Sequence, residues 1–122
     1  MDKPFNLEDR FVIFAGEVIN FSRSLPNDDI GKYYIDQILR SSGSSALHYG
    51  EAQGTNTTKD FIHKMSNVVK ELKETKIALK ILAHINAGNA SQRKLIIKEV
   101  QELVAISITM IINARKKLSQ KK

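Results

Sequence analysis

Apolar residues at Leu7, Phe11, Phe14, Val18, Phe21 and Leu25 follow one another at intervals of four, three, four, three and four. That is the beat of one stripe along an α-helix. Asn6, with Asp9 three residues on, supplies an N-cap, and Pro26 ends the segment because its ring fixes φ and biases the preceding residue away from helical geometry. The first predicted helix is therefore 7–25. A second, over 28–53, starts from Asn27 or Asp28 as cap. Its inner stripe passes from large residues (Ile30, Tyr34, Ile38) to small ones (Ser41, Ser45) before Tyr49. Gly43 and Gly50 each cost a helix interior about 1 kcal/mol relative to alanine and could divide this segment in two. No proline intervenes, and the stripe keeps phase from Ile30 to Tyr49, which predicts one long helix.

Thr57 or Thr58 caps a third predicted helix over 58–86. Its main stripe is Phe61, Met65, Val68, Leu72, Leu79 and Leu82, and a second apolar row, Ile77, Ile81 and Ile85, projects to nearly the opposite side at about 100° per residue. One neighbour cannot cover both. Gly88 is the stop signal, NAGNAS the turn, and Ser91 the cap of a fourth helix over 91–118. That helix reads LIIKEVQELVAISITMII in its middle, with Lys98, Glu99, Gln101 and Glu102 interrupting an apolar surface much wider than the usual stripe. Apolar surface of that extent is rare on monomers, so Ile108 and Ile112, with Ile77, Ile81 and Ile85, are expected in a contact between subunits of a homo-oligomer.

Four helices with short connections predict an all-α fold, an antiparallel up-down-up-down four-helix bundle forming a single domain over 1–122. The length of 122 residues suits one core, and 42% hydrophobic with 26% charged residues is ordinary for a globular chain. No run approaches the roughly 18 apolar residues of a membrane span, and the start, MDKPFNLEDRF, lacks a basic region followed by an apolar one. With no cysteine to form disulfides or thiolate metal sites, a cytoplasmic location and no membrane partner are expected.

The serine- and glycine-rich stretch RSSGSSALHYGEAQ (40–53) marks a close helix contact. Ser41, Gly43, Ser44 and Ser45 let another backbone approach, while serine hydroxyls bond back to carbonyls one turn earlier. Arg40 and Glu51 are about three turns apart and cannot pair within one straight helix, so each needs a partner elsewhere; Glu71 and Glu74 are candidates for Arg40. His48 and Glu51 share a face, but carboxylate-bridged metal bundles use Glu-x-x-His motifs, which the sequence lacks. His48 reads as a polar residue at a helix contact, His63 as a face residue and His84 as a helix-end residue. No catalytic serine elbow or phosphate loop is present. A non-enzyme without metal or cofactor is expected.

The net charge of +6 admits polyanions such as RNA. Part of it is the tail, Arg115, Lys116, Lys117, Lys121 and Lys122, where basic residues also suit the negative end of a helix dipole. Lys70, Lys73, Lys76 and Lys80 form a ridge diluted by Glu71 and Glu74, read first as a solvated face and alternatively as an RNA-facing one. No aromatic residue is interleaved with these lysines in the sequence, which disfavours base stacking and leaves contact with the phosphate backbone.

Between Pro26 and about Ala83 the chain resembles the four-helix bundle proteins associated with intervening sequences of bacterial 23S ribosomal RNA genes. The resemblance is carried by Pro26, Asp28 and Asp29; Gln37, Ile38, Leu39, Arg40 and Ser41; Ser44; Glu51, Ala52 and Gln53; the run DFIHKM (60–65); and Lys70, Glu71, Glu74 and Thr75. It implies motif roles for Arg40, His48 and Glu51, although the family usually has asparagine at the position of His48 and commonly a bulkier aliphatic residue at that of Ser45. It further implies a ring-forming homopentamer, an assembly or scaffold protein with no established enzymatic activity. The alternative function is an RNA- or ribosome-associated binding protein.

Overall fold

The computed structural model describes residues 6–120; the opening MDKPF and the tail residues Lys121 and Lys122 lie outside the described residues. Four helices follow in order: α1 (Leu7–Ser22), α2 (Asp29–Gln53), α3 (Thr58–His84) and α4 (Ala90–Gln120). Among the described residues there is no strand. Each helix packs against its neighbours in sequence, α4 closes back on α1, and the backbones of α1 and α3, and of α2 and α4, stay apart across the diagonals. This is the antiparallel up-down-up-down bundle.

The stripes read from the sequence supply the core. Phe11, Phe14, Val18 and Phe21 of α1 meet Ile38 and Tyr49 of α2, with Met65, Val68, Leu72, Leu79 and Leu82 from α3 and Ile96, Val100 and Leu103 from α4. Phe11 stacks on Tyr49 with ring centroids 4.7 Å apart. Ile30, expected on the inner stripe of α2, is exposed instead.

Capping explains the boundaries. Asn6, Asp28 and Thr57 each accept a backbone N–H three residues on. α2 is one continuous helix through Gly43 and Gly50 to Gln53. α1 stops at Ser22, short of the expected Leu25, because the backbone tightens to i→i−3 bonds: Arg23 N to Asn20 O, Ser24 N to Phe21 O and Leu25 N to Ser22 O. Leu25 still reaches the core. α3 ends at His84 rather than 86, and the stop is made by Asn86 in the left-handed region (φ 57°), with Ala87 N bonding to Leu82 O and Asn86 N to Ala83 O. α4 is capped by Asn89, not Ser91, since Gln92 N donates to Asn89 Oδ1.

Two glycines are required by geometry. A Cβ on Gly31 would lie 1.8 Å from Pro26 O, and Gly88 (φ 78°) sits against the Phe21 ring. The first lets the LPND turn fold onto the start of α2, and the second lets the α3–α4 turn close over the end of α1.

Candidate functional site

The small residues of α2 divide by face. Ser41, Ser42 and Ser45 are buried, whereas Gly43 and Ser44 are half-buried. Ser41 Oγ and Thr75 Oγ1 are 2.6 Å apart across the α2–α3 contact. Because Thr75 gives its one hydrogen to Glu71 O, Ser41 is the donor between them. Ser42 donates to Ile38 O and Ser45 to Ser42 O, so these two hydroxyls enter the core with their hydrogens bonded within their own helix. Ser42 was not singled out from the sequence; its position one step past Ser41 on the α1-facing flank shows only once α2 has neighbours on both sides. Gly43 is not a point of close approach within the subunit. A Cβ there, as at Gly16 and Gly50, would meet nothing within 4 Å.

A polar seam follows the outer edge of the same contact. Arg40 hydrogen-bonds Gln37 and lies 3.7 Å from Glu71 and 3.9 Å from Glu74, the two acids expected for it. Half of its side chain is exposed, so these pairs are weak. Glu51 pairs with Lys64 at 3.2 Å and stands 3.4 Å from His48 Nδ1. His48 Nδ1 and Glu71 Oε2 are buried without a hydrogen bond. Burial pushes the Glu71 carboxyl up, and the neighbouring Glu74 adds repulsion and a hydrogen bond, while Arg40 and His48 pull it down. Among the described residues no group of three or more metal-ligating side chains is gathered.

Beside this seam lies a groove between α2 and α3, lined by Tyr33, Tyr34, Lys70, Lys73, Ile77 and Ile81 among others. It adds to the picture of the lysine ridge. Two tyrosines, absent from the lysine ridge in sequence, stand across the groove from Lys70 and Lys73 because α2 and α3 run side by side. Lys80 is exposed and Lys76 half-buried. Ile77 (53% exposed), Ile81 (40%) and Ile85 (50%) form an apolar ridge; Ile108 (36%) and Ile112 (46%) are exposed on α4. These five do not form one patch. Ile81 is three residues from the end of α3 and Ile108 eighteen from the start of α4, which separates them by about 20 Å along the bundle.

Two cations that hold the bundle together gave no sequence signal. Arg10 of α1 donates to both carboxyl oxygens of Glu99 (3.1 and 2.6 Å) and to Glu102 (3.4 Å) on α4. The hydrogen bond to Glu99 raises its already high pKa. Arg93 is buried and donates to Ala87 O and Gly88 O, bracing the α3–α4 turn. No helix among the described residues is long and apolar enough to cross a membrane.

Comparison with known proteins agrees with this architecture. A family model described as 23S rRNA-intervening sequence protein matches residues 9–109. A crystal structure of a protein of unknown function from the S23 ribosomal protein family of Bacteroides thetaiotaomicron superposes with a TM-score of 0.76 at 27% identity, covering 87% of this chain and 98% of that one. No curated protein matches the chain.

Proposed function

The chain belongs to the 23S rRNA-intervening sequence protein family, and on that premise we propose that it works as a non-catalytic homo-oligomeric bundle, a ring-forming cytoplasmic assembly or scaffold. The observation that carries this reading is the exposed ridge Ile77, Ile81 and Ile85 beside Tyr33, itself 57% exposed. Apolar surface gathered in this way is typical of a protein contact rather than of a solvated face. The non-catalytic part is supported by how the fold uses its polar groups: Ser41, Ser42 and Ser45 bond to Thr75 and to helix carbonyls, and Arg10 to Glu99. A count of five comes from the family resemblance of the middle helices.

Light scattering coupled to size exclusion tests it. Wild-type chain at micromolar concentration is expected to elute as a multiple of 13.7 kDa, and Ile81→Glu as a folded monomer. Unchanged mass for Ile81→Glu removes the ridge from the interface.

A second reading, contact with RNA, is favoured by one observation: Tyr33 and Tyr34 share the groove with Lys70 and Lys73, an arrangement able to stack on bases and meet phosphates. Because the same groove flanks the isoleucine ridge, RNA and a neighbouring subunit would compete for it. Binding of ribosomal RNA fragments that weakens steeply with salt supports this reading; no binding at low salt removes it.

A further inference from the structure

We propose that the groove between α2 and α3 takes one unpaired guanine nucleotide and reads the Watson–Crick edge of its base with Gln37 and Glu74; this rests on the RNA-contact reading above and names what that site selects. The groove encloses about 500 Å³, within the range of small-ligand sites. Its two ends differ in chemistry. Tyr33 and Tyr34 stand edge to face with ring centroids 5.0 Å apart, beside Ala78 and Ile81, an apolar seat for a flat ring. Lys70 and Lys73 are the cationic end. Lys70 precedes Ile81 by eleven residues, about 16 Å along α3, which leaves the length of a nucleotide between the two.

Arg40 sets the polar groups in the middle. An arginine only donates, so its 3.0 Å bond to Gln37 Oε1 holds that carbonyl toward the seam and leaves the NH2 group for the groove. Gln37 Nε2 lies 3.5 Å from Tyr33 Oη, a long bond that engages one of its two hydrogens. The same nitrogen of Arg40 stands 3.9 Å from Glu74 Oε2, which brings the Gln37 amide and the Glu74 carboxylate together. Both residues line the groove. One donor therefore stands next to two acceptor oxygens. Of the four RNA bases, guanine alone offers the matching edge, a carbonyl oxygen followed by two adjacent N–H groups. Its O6 accepts from Gln37 Nε2, while N1–H and the 2-amino group donate to the two oxygens of Glu74. Adenine and cytosine bring one exocyclic N–H beside a ring nitrogen with a lone pair, and uracil one N–H between two carbonyls. Each sets an acceptor against a Glu74 oxygen, which costs affinity.

The test measures binding to the full chain at low salt, by fluorescence anisotropy with uridine tracts that carry a single G, inosine, A or C at the centre, and by calorimetric titration with 5′-GMP. The G tract is expected to bind on the order of tenfold tighter than each of the others, inosine included because it lacks the 2-amino group. Glu74→Gln is expected to bring the G and inosine tracts to equal affinity while Lys70 and Lys73 still hold both. Tyr33→Ala is expected to weaken every tract without reordering them. GMP that binds as tightly as the G tract makes the free nucleotide the ligand, and a tract that binds much more tightly makes it RNA; the site is the same in both. Equal affinity of all tracts for wild type, or a G preference that survives Glu74→Gln, overturns the guanine assignment and leaves contact with RNA standing. No binding of any tract, with GMP also silent, removes the RNA reading and this assignment together.

Discussion

Alanine substituted at two glycines of the same helix should have opposite effects on subunit stability. Gly43 and Gly31 both lie within α2. At Gly43 the added methyl meets no atom within 4 Å, so the only term left is helix propensity, which favours alanine by about 1 kcal/mol. With an unfolding entropy of about 2.1 cal/mol/K per residue, the chain should gain about 4 °C in Tm per kcal/mol. At Gly31 the methyl would lie 1.8 Å from Pro26 O and 2.8 Å from its carbonyl carbon. Backbone cannot swing aside as a flexible side chain does. The turn must shift, at a cost of about 1–3 kcal/mol, so the propensity gain is offset or exceeded. The assay is urea unfolding followed by circular dichroism, with both substitutions on an Ile81→Glu background so that association contributes nothing to the apparent stability. Gly43→Ala should unfold at higher urea and Gly31→Ala at lower urea than the background. Loss of stability for Gly43→Ala would mean that this glycine has a role inside the subunit, which refutes the reasoning that finds no neighbour beside it there.

Other outcomes follow from the polar contacts. Arg10→Ala removes charged hydrogen bonds from the α1–α4 contact and should cost about 1.5–3 kcal/mol in denaturant unfolding; no loss would show that α1 is held by packing alone. Ser41→Ala should cost only about 1 kcal/mol, because Thr75 keeps its own acceptor at Glu71 O; a much larger loss would mean that the serine is itself needed to fill the contact. Glu71 has a folded-state pKa above its unfolded value, so the stability linked to its proton is fully present below the unfolded value and lost as pH rises through the folded one. Glu71→Gln should therefore be the more stable form near neutral pH and converge with wild type in acid; a less stable Glu71→Gln at neutral pH would mean that the pairing with Arg40 outweighs burial.

The helices and core were legible in the sequence because a 3.6-residue period depends on the stripe alone. Phe11 to Phe21 and Met65 to Leu82 lie inside as their spacing requires. What escaped depends on neighbours. Ile30 keeps helical phase with Ile38 and is nonetheless exposed, because the phase of a stripe does not say how far along the helix a neighbour covers it. Asn86 and Asn89 took over the stop and the cap assigned to Gly88 and Ser91, since asparagine suits both the left-handed region and an N-cap. The polar seam was half visible: Arg40 meets Glu71 and Glu74 as expected. The tyrosines beside Lys70 and Lys73 could not be seen, because only the pairing of α2 with α3 brings residues 33 and 70 together. Gly43 was read as a place of close approach, yet within the subunit nothing stands within 4 Å of a Cβ there, since a small residue in the sequence does not say which side of its helix a neighbour covers.

The mass of the wild-type chain in solution, measured by light scattering at micromolar concentration, tests the central claim most directly. A closed oligomer is expected, five times 13.7 kDa if the family resemblance extends to subunit number. A homogeneous species of 13.7 kDa would leave Ile77, Ile81 and Ile85 facing water and contradict the account.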